Sequence, residues 1–328
     1  RHLYILFFKY RMDFKRFGCN VLLFLASLSF GILICELAGR FIGLGNPLLY
    51  KSDKLVGYRL RPNQSNKRFQ NAMVSTDSEG FRINPTKMKD LSSEVFVFVG
   101  DSVTYGGSHI DNSELFSSLI CANRPGSICL NSGVNAWGTY NMGRFISNFS
   151  LYSNRVPTEF ILVILPGDDQ RNLKDIRSTP FWTTPPKNPK AINEIINYLF
   201  RERILPGLRS KDTFDQIDLT KKNIIKYTTI QKSWDDLNDY LKSSKSKVNV
   251  VITPPQRWFK NSKENQSDIN LYDKYLSTIS DNPNVLKTCN LYTFMKDDYL
   301  KTDYVDSVHL SKSGHKKWAK YIKSCLNY

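Results

Sequence analysis

The sequence predicts an α/β domain whose parallel sheet is covered by helices on both faces, set behind one N-terminal membrane-spanning helix. Three observations carry this. Short apolar runs rich in β-branched and aromatic residues recur at Glu94–Gly100, Ile128–Leu130, Phe160–Leu165 and Val248–Ile252, the pattern of buried parallel strands. Helical spacing of apolar residues stands among them, with Trp234, Leu237, Tyr240 and Leu241 inside Ser233–Lys242, and Trp318, Ile322 and Cys325 inside Gly314–Cys325, and strands separated by helices make a covered parallel sheet. The third is an unbroken apolar run from Val21 to Cys35, continued after Glu36 by Leu37, Ala38 and Phe41–Leu44, which is about long enough to cross a bilayer.

The order of segments follows. Residues 1–17 read as a basic cytoplasmic N-terminus, 18–44 as the anchor, 45–90 as a stalk merging into the domain edge, and 91–328 as the main domain. Basic residues ahead of the apolar run place the N-terminus in the cytoplasm and everything after about Gly45 across the membrane. Glu36 and Arg40, four apart, can pair on one helix face near the membrane boundary. No small-x-small site follows the run cleanly, which favours an uncleaved anchor over a signal peptide. Met12 is a candidate start, since Met-Asp-Phe-Lys-Arg-Phe leads straight into the run. Residues 173–230 fit the alternation poorly; they carry Pro180, Pro185, Pro186 and Pro189 and a helical stretch around Ala191–Arg203, and read as an insertion, a lid or substrate-binding flap over one end of the sheet.

The formal charge is +16, to which residues 1–40 contribute only +4 (Arg1, Lys9, Arg11, Lys15, Arg16 and Arg40 against Asp13 and Glu36). The rest is scattered, with no basic run interleaved with aromatics, so nucleic-acid binding is not expected and a solvated basic surface is. Cys121, Cys129, Cys289 and Cys325 fall in the exported part, where oxidation is available. Of their three pairings, Cys121 with Cys129 is the first choice, and Cys289 with Cys325 would tie the last strand to the last helix. No cysteine pair has zinc-site spacing, and His2, His109, His309 and His315 form no ligand cluster, so neither metal nor cofactor is expected.

Chemistry concentrates at strand ends. Gly100-Asp101-Ser102 puts a serine at the carboxyl end of a buried strand, where ligands of parallel sheets bind. Asp306-Ser-Val-His309 sets a carboxylate three residues before a histidine on a turn ahead of a helix, so the carboxylate can accept the Nδ1–H and leave Nε2 to serve a serine as base. Asn131-Ser-Gly133-Val-Asn135 and Pro166-Gly167-Asp168-Asp169 follow two further strands. Each block alone also reads as a cap or turn.

Taken in order, these blocks resemble the SGNH/GDSL hydrolase superfamily. Gly100–Ser102 matches its Gly-Asp-Ser block, Asn131–Gly133 its glycine block, Gly167–Asp169 its Gly-Asn-Asp block, and Asp306–His309 its Asp-x-x-His block. The resemblance extends upstream to an anchored subgroup through Gly57-Tyr-Arg-Leu-Arg-Pro62 and Asp77-Ser-Glu-Gly-Phe-Arg82. It implies a three-layer α/β/α fold with about five parallel strands, flavodoxin-like, and acyl-ester hydrolysis or transfer through a serine acyl-enzyme. Ser102 would be the nucleophile, His309 the base and Asp306 its orienting partner; the Ser102 and Gly133 N–H groups would hold the oxyanion, with Asp101, Asn135 and Asp169 in support. The implied substrate is an acylated, most simply acetylated, carbohydrate or envelope polysaccharide. A transferase would need a membrane partner to deliver the acyl group. A catalytically silent glycan-binding or scaffold domain and a lysophospholipase-type lipid esterase are the rival functions.

Asp168 departs from the resemblance. The expected residue is asparagine, whose amide donates to the oxyanion, whereas an ionised carboxylate only accepts. Three outcomes follow: Asp168 is protonated, it turns away so that another group such as Asn135 donates, or the site is weak or silent.

Overall fold

In the computed structural model, which describes residues 2–83, 94–122, 124, 126–171, 176, 181–202, 230–260 and 262–328, helix α1 (His2–Phe41) is followed by two antiparallel hairpins, β1 (Tyr50–Asp53) with β2 (Gly57–Leu60) and β3 (Ser65–Lys67) with β4 (Met73–Ser75). Then come β5 (Glu94–Gly100), α2 (Ser102–Tyr105), α3 (Phe116–Ala122), β6 (Ser127–Gly133), α4 (Thr139–Ser147) and β7 (Glu159–Ile164). The chain closes with α5 (Lys190–Glu202), α6 (Ile230–Lys242), β8 (Lys247–Ile252), α7 (Lys263–Ser280), β9 (Val285–Asn290), α8 (Tyr292–Met295) and α9 (Lys312–Leu326).

Strands β5 to β9 form one five-stranded parallel sheet in the order β6-β5-β7-β8-β9, the flavodoxin-like order. Side chains alternate across a strand, so one apolar run feeds two cores. Along β5, Val95, Val97 and Val99 join a core with Phe145 of α4, Trp234 and Leu237 of α6 and Ile269 of α7. Phe96 and Phe98 point the other way, to Phe116 and Ile120 of α3 and Trp318 and Ile322 of α9. The three-layer α/β/α arrangement expected from the sequence is thereby present, and β5 begins and ends where the apolar run does. Strand β9 was legible only through Cys289: its other positions mix Lys287 and Thr288 with apolar residues because it is the sheet edge, half covered.

Within the segment 45–90, expected as stalk and domain edge, residues 48–83 belong to the sheet unit. They are polar on average, but Val56, Tyr58, Leu60, Val74, Phe81 and Ile83 alternate into the core beside Trp137 and Phe145, and Arg82 and Asn131 exchange both backbone hydrogen bonds at the β6 edge. Residues 84–90 lie outside the described ones. The reason the pattern is hard to read is length: strands of three or four residues give an alternation too short to separate from a loop.

The chain divides into two compact units, one holding α1 and α5 and the other holding the sheet. In the first, Phe17–Phe41 of α1 is long and apolar enough to cross a membrane (25 residues, mean hydropathy 2.3). Glu36 pairs with Arg40 as its spacing suggests, and its other oxygen accepts the Ala191 and Ile192 N–H groups at 2.9 and 3.0 Å, capping the start of α5. In return Glu194 accepts the Gly45 N–H. The helix expected at Ala191–Arg203 is therefore present as α5, packed with the anchor helix in one unit; most of the remaining insertion, including 203–229, lies outside the described residues. Cys121 is bonded to Cys129 and Cys289 to Cys325, while Cys19 and Cys35 of α1 are free.

Candidate active site

In this strand order the chain leaves β5 for β6 on one side and returns to β7 on the other, which opens a crevice at the carboxyl ends of β5 and β7. Gly100 ends β5, and a Cβ there would stand 2.1 Å from Thr104 Oγ1 and 2.7 Å from the Val163 carbonyl. Only glycine lets the chain turn this sharply into α2. Asp101 caps that turn, its Oδ1 accepting the Val103 N–H at 2.8 Å. Ser102 follows at the lip of a cleft of about 490 Å³, lined among others by Asn135, Ala136, Arg171, Phe181 and His309.

Asp306 and His309 come to the same lip from the loop ahead of α9. Asp306 Oδ1 accepts the Val308 and His309 N–H groups at 2.9 and 2.8 Å, and Oδ2 accepts His309 Nδ1–H at 2.7 Å. This leaves Nε2 as the acceptor, 2.9 Å from Ser102 Oγ. Burial alone would raise the Asp306 carboxyl, but the imidazole and the two N–H groups outweigh it and hold it far below the usual carboxylate range. Burial would likewise depress His309, and the Asp306 hydrogen bond and charge outweigh it, so the imidazole binds a proton more readily than an ordinary histidine. The structure thus brings Ser102, His309 and Asp306, 204 positions apart from first to second block, into one hydrogen-bonded row.

The oxyanion side is built differently from the expectation. Gly133 does not offer its N–H to the cleft, because that group donates to Asn131 Oδ1 at 2.9 Å and the residue is packed against Tyr105, whose nitrogen would lie 2.0 Å from a Cβ at this position. Ser102 and Ala136 line the cleft with N–H groups that have no hydrogen bond among the described residues. Ala136 sits at φ 61° in the turn closed by Trp137 N–H to the Val134 carbonyl, a left-handed conformation that a Cβ disfavours. Ala136→Gly is accordingly expected to raise stability by about 0.5–1 kcal/mol, the relief of strain exceeding the added chain entropy of glycine; a lower denaturation midpoint for that variant would contradict the strain.

Asp168 is fully buried and does not line the cleft. Its Oδ2 accepts the Leu165 N–H at 2.9 Å and its Oδ1 pairs with Arg171. Burial and then the neighbouring Asp101 push its carboxyl well above the usual range, and Arg171 works against both. Asn135 does reach the cleft; its carbonyl accepts the Tyr58 hydroxyl, while its Oδ1 is buried without a partner among the described residues. Asp169 lies away from it, accepting Trp234 Nε1–H and the Tyr272 hydroxyl, so it ties the turn after β7 to α6 and α7. Among the described residues no three His, Cys, Asp or Glu side chains converge on a metal-sized site.

Two contributors escaped the sequence reading. Arg82 is fully buried and binds Asn112 Oδ1 and the carbonyls of Tyr105, Gly107 and Ile110, so it holds the loop that carries the cleft residues Tyr105, Gly107, Ser108 and His109. Arg171 pairs with Asp168 and Asp101 and lines the cleft. Its only signal in the sequence is a three-residue spacing from Asp168.

No protein-family model and no curated protein matches the chain. Solved structures similar to it include a member of the lipolytic protein G-D-S-L family from Veillonella parvula (14% identity, 71% of this chain and 98% of that chain, TM-score 0.41). They also include Axe2, an acetylxylan esterase from Geobacillus stearothermophilus (14% identity, 74% and 97% of the two chains, TM-score 0.42), and LAE5, an alpha/beta hydrolase enzyme from the metagenome of Lake Arreo (12% identity, 72% and 96%, TM-score 0.43). At these values the chemistry has to be argued from the site itself.

Proposed function

We propose that the chain is a membrane-anchored serine esterase of the SGNH/GDSL type, with its sheet domain outside the cytoplasm and an acylated carbohydrate as substrate. The observation that carries the reading is the row from Asp306 through His309 to Ser102 at the lip of an open cleft. Ser102 Oγ attacks the ester carbonyl carbon, its proton passes to His309 Nε2, and the carbonyl electron pair moves onto oxygen. When the carbon–oxygen bond of the ester breaks, the leaving oxygen takes that proton and the acyl group remains on Ser102. Water then resolves the acyl-enzyme by the same steps in reverse order. A sugar hydroxyl in place of water would make the protein a transferase, with a membrane partner supplying the acyl donor.

The extracytoplasmic placement rests on the apolar helix and the basic residues Lys9, Arg11, Lys15 and Arg16 before it. Against a silent domain stands the position of Asp168, which accepts the Leu165 N–H and pairs with Arg171 inside the protein and is not among the residues lining the cleft. A lipid esterase is the second reading, favoured by the apolar wall of Tyr105, Ala136, Leu165, Phe181, Val305 and Val308. The test is turnover of chromogenic esters by the full chain in detergent, across acyl lengths from acetyl to decanoyl. Ser102→Ala is expected to lower kcat by about 10⁴-fold or more. Turnover that survives that substitution would remove Ser102 as nucleophile, and a preference for long acyl chains would move the substrate from carbohydrate ester to lipid.

A further inference from the structure

Asp168 stands where the resemblance implies a donor, and its side chain is spent inside the protein. Both of its oxygens act as acceptors inside the protein, one for the Leu165 N–H and one for Arg171 Nη2. The same Nη2 lies 3.0 Å from Asp101 Oδ2, and that oxygen is 3.4 Å from Ser102 Oγ. A single nitrogen therefore spans the two carboxylates and uses both of its hydrogens. Nη1 and Nε have no partner among the described residues and belong to a side chain that is 28% exposed and lines the cleft with Ser102 and His309. Burial pushes the guanidinium down, but Asp168 and Asp101 outweigh it, so it keeps its charge.

We propose that Arg171 supplies the side-chain donor to the tetrahedral oxyanion, with Asp168 as its tether in place of the missing amide. The inference rests on the esterase reading and deepens it. As the carbonyl carbon becomes tetrahedral, one negative charge forms on its oxygen beside a held positive charge, in addition to the Ser102 and Ala136 N–H groups. No proton leaves the arginine, which stays charged throughout. The electron pair returns to the carbon as the ester carbon–oxygen bond breaks and the leaving oxygen takes its proton from His309. A charge-assisted donor is roughly twice as strong as a neutral one, and a carboxylate tether orients a guanidinium where an amide would hold it weakly. The presence of Asp at 168 is then a requirement of the arginine and not a defect of the site.

The experiment measures kcat and KM separately for the full chain and its Arg171→Ala, Arg171→Lys, Asp168→Asn and Ser102→Ala variants on a short chromogenic ester. It adds melting temperatures and the rate at which a fluorophosphonate labels Ser102. Arg171→Ala is expected to lose about 10²- to 10³-fold in kcat and in labelling rate with little change in KM, and free guanidinium ion below denaturing concentration is expected to restore part of its kcat while doing nothing for Ser102→Ala. Asp168→Asn should lower kcat, since the tether is weakened. A folded Arg171→Ala that keeps kcat and labelling within about threefold, a loss confined to KM, or a gain of activity in Asp168→Asn overturns the role. Should Arg171→Ala not fold, Arg171→Lys decides: it retains a cation but not the fork, and kcat equal to the parent's counts against the donor role. A parent chain that neither turns over esters nor takes the fluorophosphonate label at Ser102 sinks the esterase reading itself, whereas a labelled, active parent with an equally active Arg171→Ala sinks only this inference.

Discussion

Asp306→Asn is expected to lower kcat by about 10³- to 10⁴-fold while leaving the fold intact, because an amide at this position can donate to Nδ1 and so hold the imidazole in the tautomer that cannot take the Ser102 proton. The pH profile gives a second readout. His309 acts as a base only when neutral, and Asp306 raises its affinity for a proton above the ordinary histidine value of 6.5. The acid limb of kcat/KM is therefore expected above pH 6.5 in the parent and at lower pH in whatever activity Asp306→Asn retains. Stability runs the other way. A raised imidazole contributes to folding fully below the unfolded value, and that contribution fades as pH rises through the folded value. The depressed Asp306 carboxyl contributes above its unfolded value, and that part is lost as pH falls through the folded one. Activity is thus expected to rise across a range in which the imidazole's share of stability declines. An acid limb at or below 6.5 in the parent would contradict the coupling of His309 to Asp306.

Arg82→Met is expected to destabilise the sheet domain by about 3–5 kcal/mol, the range for removing one member of a buried charged network. Arg82 has no carboxylate hydrogen-bonded to it; its guanidinium is satisfied by the Asn112 side-chain oxygen and three carbonyls of the segment from Tyr105 to Ile110, and burial depresses its proton affinity against the smaller opposing effects of Tyr105, Tyr50 and Asp111. Methionine fills much of the same volume but leaves those acceptors buried and unpaired. For a domain of this size the midpoint of thermal unfolding should fall by about 10 °C. Ester turnover per folded molecule should fall as well, since Tyr105, Gly107, Ser108 and His109 form part of the cleft wall. A midpoint within about 2 °C of the parent would mean that the loop is held by other contacts, with the side-chain pin from His109 Nε2–H to the Leu310 carbonyl the first to examine.

Legibility differed from element to element for physical reasons. Strand β5 lies between β6 and β7 and is buried on both faces, so nearly every position is apolar and the run names its own ends. Strand β9 is the edge and needs no such composition. The two hairpins between Tyr50 and Ser75 bury alternate residues in strands of three or four, too short for periodicity to speak. Helices α3, α4 and α7 were not foreseen. In α3, Ser117 and Ser118 are buried beside Phe116 and Ile120, so its buried face is not apolar throughout. The site residues divide along the same line. Ser102, Asp306 and His309 were found because each belongs to a block whose chemistry is local: a serine after a strand, and a carboxylate three residues ahead of a histidine.

What the sequence determined by itself was the apolar span, the central strands and the order in which Gly100–Ser102, Asn131–Gly133, Gly167–Asp169 and Asp306–His309 follow them. Only the tertiary structure decided which polar groups face the cleft. Gly133 and Ala136 are three residues apart on one turn, and the N–H of the first is taken by Asn131 while that of the second is free. Asp168 and Arg171 are likewise three apart, and the carboxylate is turned inward to Leu165 while the guanidinium lines the cleft. Whether a donor is spent or available depends on how the folded backbone turns each group, toward Asn131 for Gly133 and toward Leu165 for Asp168, and a sequence pattern names the residue without fixing that orientation.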